Sequence, residues 1–318
     1  MIMSNRFQQS KRQTLITHFL WLSLLVVIAG CKGKETPTTQ GRLQVVTTTG
    51  MIKDAVTNIA GDRVDVVALM GPGVDPHLYK ATQGDLAKLT AADIIFYNGL
   101  HLEGKMGEVF EKLTVQKTVV PVSVSIEDTL LRAVPGFQGT HDPHIWFDVK
   151  LWENAVKQVS KTLQEKDSVN AAYYMVNEKK YLATLDSLDD AVRKHLQEVS
   201  KEQRVLITAH DAFGYYGDAY QVEVRGLQGI STMSEFGLKD VTELVNFIIG
   251  RKIKAIFVET SVSQKSIEAV VEGCKQKGWD VKIGGSLYSD AMGEEGTPDG
   301  TYVGMVSANT RTIVRALK

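Results

Sequence analysis

The amino-acid sequence predicts an α/β fold of two similar lobes, each a mostly parallel sheet flanked by helices, joined by one long rigid linker helix. Two observations predict the lobes: short β-branched runs alternate with amphipathic stretches from Leu43 onward, and the same alternation resumes after residue 200. The third observation is a helical segment without Gly or Pro between them. The chain has 318 residues, 43 % of them hydrophobic, which is enough to bury two domain-sized cores.

Four β-branched runs predict the strands of the N-terminal lobe, which we place at residues 43–171. They lie at Leu43–Thr47, Val64–Ala68, 93–97 and 118–122. The C-terminal lobe, residues 201–318, repeats the pattern with runs at 204–208, 222–224, 255–258 and 279–283. Helical stretches separate the runs, and strands that alternate with helices in this way are typical of parallel sheets.

The segment 172–200 is predicted to be a continuous helix that connects the lobes. Its apolar side chains recur at spacings of three, four and seven residues and therefore share one helical face. They are Tyr174, Tyr181, Leu185, Leu188, Val192 and Leu196. A helix of about 28 residues, at a rise of ~1.5 Å per residue, spans roughly 40 Å. We expect rigid linkage, because a flexible hinge would be rich in Gly or made of several extended crossings.

Residues 1–30 are predicted to be a secretory signal peptide. A basic start precedes an apolar stretch over 15–29, which ends too early for a membrane span of about 20 apolar residues. The Ile-Ala-Gly-Cys run that ends at Cys31 resembles a bacterial lipobox, whose cysteine is acylated. A plain signal peptide with a chance cysteine is the alternative. The polar segment 31–42 is predicted to be a flexible tether, which favours a lipid anchor on a bacterial membrane.

Charge and cysteine content exclude some classes of protein. The 36 basic and 37 acidic residues nearly balance, so no net charge steers the molecule toward nucleic acid. Cys274 is the only cysteine besides Cys31, so an intramolecular disulfide is impossible once Cys31 is lipidated. We interpret Cys274 as a buried small side chain of a helix.

Four of the seven histidines stand where a binding site is not indicated. His18 lies in the signal peptide, and the others are interpreted as solvated, capping or loop residues. These others are His101, His141 and His195.

The remaining histidines and one aspartate share a type of position. His77 and His210 follow predicted strands, His144 follows a loop, and Asp290 follows the last predicted strand. In open α/β sheets, ligands bind beyond the carboxyl ends of the strands. Three imidazoles with one carboxylate suit a divalent transition-metal ion. No compact spacing joins these residues, so the sequence pattern alone leaves an ordinary loop role open for each.

Four motifs around these positions resemble the zinc and manganese solute-binding lipoproteins of ABC metal importers, also called the adhesin-like lipoprotein receptor family. The motifs are Asp-Pro-His at 75–77, Asp-Pro-His-Ile-Trp-Phe at 142–147, Thr-Ala-His-Asp-Ala-Phe-Gly-Tyr at 208–215 and Gly-Thr-Pro-Asp-Gly-Thr-Tyr at 296–302. The resemblance runs from about Leu43 to the C-terminus. It implies His77, His144, His210 and Asp290 as the metal ligands, two from each lobe.

The resemblance also implies a function. The chain is expected to be an extracytoplasmic, monomeric subunit that captures one zinc or manganese ion between its lobes. It would deliver the ion to a membrane permease powered by an ATPase, without catalysis and without nucleic acid. Glu259 and Trp146 are possible residues that support the ligands from behind or line the wall of the site. The alternatives from other classes are a zinc-dependent hydrolase and a surface adhesin.

The identity of the ion stays open between zinc and manganese. The third ligand position of the family is histidine in some members and glutamate in others, and here it is His210. The long His-rich loop of typical zinc-specific members is missing, because residues 127–142 contain only His141. A nitrogen-rich site nevertheless binds Zn²⁺ more tightly than Mn²⁺ by the usual order of divalent ions.

Overall fold

The structure, a computed structural model, describes residues 41–134 and 139–318. The predicted signal peptide, Cys31 and nearly all of the predicted tether lie outside the described residues. Residues 42–318 form one compact unit. Within the described ranges, none of the helices combines the length and apolar composition that a membrane span requires.

The first half of the chain forms a four-stranded sheet in which every neighbouring pair of strands is parallel. Its spatial order is β2-β1-β3-β4. The strands are β1 (Leu43–Thr47), β2 (Val64–Ala68), β3 (Ile94–Tyr97) and β4 (Thr118–Pro121). Their bounds agree with the predicted runs to within one residue, because these strands are short, β-branched and bounded by polar residues.

Four helices accompany this sheet. They are α1 (Gly50–Ala60), α2 (Gln83–Ala91), α3 (Gly107–Thr114) and α4 (Val149–Lys166). Side chains at the N-termini satisfy backbone N–H groups that have no partner inside the helix. Thr82 and Asp85 form a capping box at α2, and the Asp148 carboxylate accepts hydrogen bonds from backbone N–H groups in the first turn of α4.

The long helix α5 (Ala171–Leu196) buries the six apolar side chains that define its predicted face. It contacts α1 and α4 on one side and helices of the second half on the other. Asp189 is also buried on this face, where it accepts from Arg193 at 2.8 Å and from the Tyr220 hydroxyl at 2.9 Å. The helix is therefore packed along its length, which opposes bending.

The second half contains two parallel pairs of strands, β5-β6 and β7-β8. The strands are β5 (Val205–His210), β6 (Glu223–Gln228), β7 (Ala255–Glu259) and β8 (Lys282–Leu287). The helices are α6 (Gly214–Tyr220), α7 (Leu238–Gly250), α8 (Lys265–Gln276) and α9 (Tyr302–Leu317). The architecture is thus α/β, with parallel sheets flanked by helices.

The last predicted strand, 279–283, is wrong in position, since β8 begins at Lys282 and continues through two glycines. Glycine usually weakens a strand, which is why the pattern ended the prediction early. Here it permits close packing: a Cβ on Gly284 would meet Ala316 of α9 at 2.6 Å and Phe257 of β7 at 3.0 Å. The glycines let α9 lie directly on the sheet.

One hydrophobic cluster joins the two halves. It includes Trp146 and Trp152 from the first half with Tyr302 and Met305 from α9. The Asp54 carboxylate adds a polar connection between α1 and the long helix, because it accepts from the Tyr181 hydroxyl of α5 at 2.7 Å. The halves therefore share a core, which favours small displacements between them over wide opening.

Candidate metal centre

Four side chains converge in the interior at the carboxyl ends of the strands. They are His77, His144, His210 and Asp290, and one possible ligand atom from each lies within 4.8 Å of all the others. All four are buried, none more than 2 % exposed. A buried polar side chain without a partner costs free energy of folding. These four side chains must therefore pair with one another or bind an ion.

Each half of the chain supplies two of these residues. His77 lies in the loop after β2, and His144 directly precedes the short 3₁₀ helix Ile145–Phe147. Asp290 lies in the loop after β8. His210 differs from its predicted place, because β5 extends to it and makes it the last residue of the strand.

The donor atoms are spaced for one small cation. The Nε2 atoms of His77 and His144 are 3.3 Å apart, and His144 Nε2 lies 3.4 Å from Oδ1 of Asp290. The Nε2 atom of His210 lies 3.3 Å from Oδ2 of Asp290, and the corresponding His77 distance is 3.9 Å. A tetrahedral ion with bonds of ~2.0–2.1 Å needs neighbouring donors roughly 3.3 Å apart. A single ion fits with little rearrangement.

Hydrogen bonding leaves key atoms of this cluster unsatisfied. Within residues 41–134 and 139–318, both carboxylate oxygens of Asp290 and Nε2 of His210 are buried without a hydrogen-bond partner. An unpaired buried carboxylate is expensive in free energy unless a cation compensates it. The donor set therefore has the composition and the unsatisfied buried polar atoms of a cation site.

Carboxylates behind the imidazoles hold two of them in place. The Asp142 carboxylate accepts from Nδ1 of His144 at 2.7 Å and from its backbone N–H at 3.0 Å. The Asp75 carboxylate accepts from the backbone N–H of His77 at 2.8 Å. A proton held on Nδ1 leaves Nε2 of His144 free for a metal. Sequence reasoning missed both aspartates, although the repeated Asp-Pro-His triplet was a usable signal.

Glu259 and Trp146, predicted to support the ligands or line the site, both lie against a histidine of the cluster. Glu259 ends β7, accepts from the backbone N–H of His210 at 2.9 Å, and places Oε2 2.6 Å from His210 Nδ1. This second contact is an ion pair when His210 is protonated. The Trp146 ring lies edge-on to His144, with the centroids 5.3 Å apart.

The three imidazoles differ in their affinity for protons. Burial lowers the pKa of His77 to about 3. Burial also opposes protonation of His144, but the carboxylates of Asp142 and Asp290 outweigh it and raise the pKa to about 9. For His210, Glu259 and Asp290 likewise outweigh burial and raise the pKa well above its usual value. Burial alone would raise the pKa of Asp290. His210 and His144 face this carboxylate and outweigh burial, so its pKa lies well below the usual value.

The other histidines of the described ranges lie outside the cluster. His141 pairs with Asp128, with Nε2 and Oδ1 2.8 Å apart. His101 is exposed with a positive φ of 64°, and His195 is exposed on α5. His18 lies outside the described residues.

We predict that Gly214→Ala destabilises the protein through the partner of His144. A Cβ at Gly214 would meet Arg132 Nε at 2.5 Å and Asp142 Oδ2 at 2.8 Å, so one of them must move. Overpacking of this kind costs about 1–3 kcal/mol, which denaturant unfolding would measure. Gly250→Ala is the matched control, because no described atom outside its chain neighbours and its own helix backbone lies within 4 Å of its Cβ position. Equal stability of both variants would contradict the prediction.

Comparison with known proteins agrees with this geometry. The family model described as "Zinc-uptake complex component A periplasmic" matches residues 45–316. The manganese-binding lipoprotein MntA of Bacillus subtilis (strain 168) is 51 % identical over 278 residues, which cover 87 % of this chain and 90 % of that protein. The zinc-binding protein TroA of Treponema pallidum (strain Nichols) is 48 % identical over 306 residues, covering 96 % and 99 % of the two chains.

A solved structure gives the same assignment. The structure of the periplasmic zinc-binding protein TroA from Treponema pallidum superposes with a TM-score of 0.85 at 51 % identity, covering 87 % of this chain and 99 % of that one. The match extends through both halves of the chain, the long helix and the loops that carry the four buried side chains. The chain therefore belongs to the family of periplasmic component A of the zinc-uptake complex.

Proposed function

We propose that this chain is the extracytoplasmic solute-binding subunit of an ABC importer that captures one zinc or manganese ion between its two lobes. The observation that carries the proposal is the buried cluster of three imidazoles and one carboxylate, spaced for a single cation, in which the Asp290 oxygens and His210 Nε2 have no hydrogen-bond partner among the described residues. His77, His144, His210 and Asp290 are the proposed ligands.

The donor chemistry favours zinc, and manganese is the competitor. Three imidazole nitrogens with one carboxylate bind Zn²⁺ more tightly than Mn²⁺ by the usual order of divalent ions. Relatives that are 51 % and 48 % identical are named for manganese and for zinc, respectively. Identity at this level is thus compatible with both ions, and the carboxylate is the ligand that makes manganese acceptable.

The proposed role is transport without catalysis. A catalytic zinc site keeps three protein ligands and an open position for water, whereas the four protein donors here would fill the coordination positions of a tetrahedral ion. The ion would be shielded by the lobes and released when the loaded subunit docks on a permease powered by an ATPase. The shared core and the packed linker helix favour small lobe shifts and local loop rearrangement for release. We propose that the subunit acts as a monomer.

Metal content tests this proposal. The soluble chain from residue 32 onward is expected to retain close to one equivalent of Zn²⁺ after gel filtration, and competition calorimetry is expected to rank Zn²⁺ above Mn²⁺. A strain that lacks the gene should accumulate less of the transported ion. A purified chain whose metal content is far below one equivalent, and unchanged by His77→Ala, would contradict the proposal.

We further propose that Cys31 carries the lipid anchor, so Cys31→Ala should move the protein from the membrane fraction to the soluble fraction. The reason is that the thiol is the only acylation point of the lipobox-like run. Immunoblotting of fractionated cells measures the change, and Cys274→Ala is the control, because that thiol is buried in α8. Retention of the Cys31 variant in the membrane fraction would disprove the anchor.

A further inference from the structure

One hydrogen bond joins the loops that carry ligands from opposite halves of the chain. Trp146 follows His144 by two residues, and its indole Nε1 donates to the backbone carbonyl of Ser289 at 2.9 Å. Ser289 directly precedes Asp290. Both Trp146 and Ser289 are buried, so water cannot replace this bond if it is lost.

Further hydrogen bonds hold both ends of this connection. The Tyr302 hydroxyl donates to the backbone carbonyl of Trp146 at 2.7 Å, and the hydroxyls of Ser289 and Ser261 are 2.7 Å apart. Tyr302 ends the 296–302 motif, which supplies no donor to the cluster. Ser261 lies two residues beyond Glu259, the partner of His210. The series therefore extends from the start of α9 to the end of β7.

The connection fixes a distance that matters for a bound ion. His144 Nε2 and Asp290 Oδ1 lie 3.4 Å apart although they come from different halves of the chain. A binding site works when its donors stay within about 0.5 Å of the productive geometry. The indole bond restrains the backbone beside both donors, and the Trp146 ring packs against His144.

We propose that Trp146 is a positioning residue whose indole N–H, bonded to Ser289, holds Asp290 at coordinating distance from His144 and so slows release of the ion. This inference rests on the proposed function. Trp146 would thus connect ligand loops from the two halves of the chain, in addition to lining the wall of the site. Groups that orient metal ligands typically contribute 10–100-fold to affinity.

A nearby tryptophan separates this role from ordinary packing. Trp152 is as deeply buried as Trp146 and stacks on Tyr302 with the ring centroids 5.4 Å apart. Its indole N–H has no hydrogen-bond partner in the part of the chain that the structure describes. Trp→Phe at either site removes similar volume from the same core, but only Trp146→Phe removes a hydrogen bond between the ligand loops.

The test compares release of Zn²⁺ from the two variants and the wild type. In stopped-flow mixing with a chelator, Trp146→Phe is expected to release Zn²⁺ roughly 10–100 times faster, and Trp152→Phe within about threefold of the wild type. The ligand-field spectrum of the Co²⁺-loaded protein should change only in Trp146→Phe. Tyr302→Phe removes the hydroxyl bond to the Trp146 carbonyl and should also make release of Zn²⁺ faster than in the wild type. This variant replaces Trp146→Phe in the test if Trp146→Phe does not fold.

Equal release rates and unchanged Co²⁺ spectra in the Trp146 and Trp152 variants would overturn the positioning role while leaving the proposed function intact. If Tyr302→Phe is the variant tested, release of Zn²⁺ at the wild-type rate would also overturn the positioning role. A wild-type chain that retains no Zn²⁺ would overturn the proposed function, and this inference with it.

Discussion

Replacement of Asp290 by Asn will raise the dissociation constant for Zn²⁺ roughly 10²–10⁴-fold. Asp290 is the one carboxylate among the four proposed ligands, and it lies buried against the Nε2 atoms of His144 and His210. Removing one partner of a buried charge pair costs about 3–5 kcal/mol. Because each 1.4 kcal/mol is about tenfold in affinity, that range gives the stated loss.

The Asn variant is nearly isosteric, so the loss reports charge and coordination more than packing. Asp299→Asn is the matched control: Asp299 follows in the same segment, but its carboxylate accepts from the Tyr288 hydroxyl at 3.3 Å and lies outside the cluster. Calorimetry with a competing chelator measures both. A dissociation constant for Asp290→Asn within about threefold of the wild-type value would exclude this carboxylate as a ligand.

Acidification will weaken metal binding by up to about 100-fold per pH unit between pH 6 and 8. In the metal-free protein, the pKa of His144 is about 9 and that of His210 is well above its usual value, so both carry a second ring proton at pH 7. His77, with a pKa of about 3, is already neutral. An ion must therefore displace about two protons, and lower pH favours the metal-free state.

Zinc calorimetry in buffers of different ionisation enthalpy counts these protons directly. We expect about two per ion at pH 7, with the contribution of His144 declining above about pH 9. Glu259→Gln removes a carboxylate that raises the pKa of His210, so the count should fall toward one. Binding without proton release, and with the same affinity at pH 6 and 8, would contradict this charge state of the imidazoles.

The strands of the first half could be predicted closely, because each is a short β-branched run with polar ends. The prediction failed at β8, where Gly284 and Gly285 interrupt the hydrophobic pattern. Glycine is required there because side chains of α9 pack so closely against these two positions that a Cβ atom would collide with them. Such a contact joins segments that are distant in sequence, and no local pattern reports it.

The candidate site also has one part that the sequence pattern predicts and another part that depends on contacts between distant segments. The strand pattern places His77 and His210 at the carboxyl ends of strands, where ligands are expected. The approach of His144 to Asp290 instead depends on how the two halves pack, and only the family resemblance brought these residues together in advance. Asp142 was missed because its contact with Nδ1 of His144 is a property of side-chain direction, although the repeated Asp-Pro-His triplet pointed to it.

The position of the bound ion tests the central claim most directly. Crystals of the Zn²⁺-loaded chain, measured on both sides of the zinc absorption edge, will reveal anomalous scattering from the metal alone. We predict one peak, ~2.0–2.1 Å from Nε2 of His77, His144 and His210 and within ~2.0–2.2 Å of a carboxylate oxygen of Asp290. A peak elsewhere, or one that any of these four side chains fails to contact, would contradict the account.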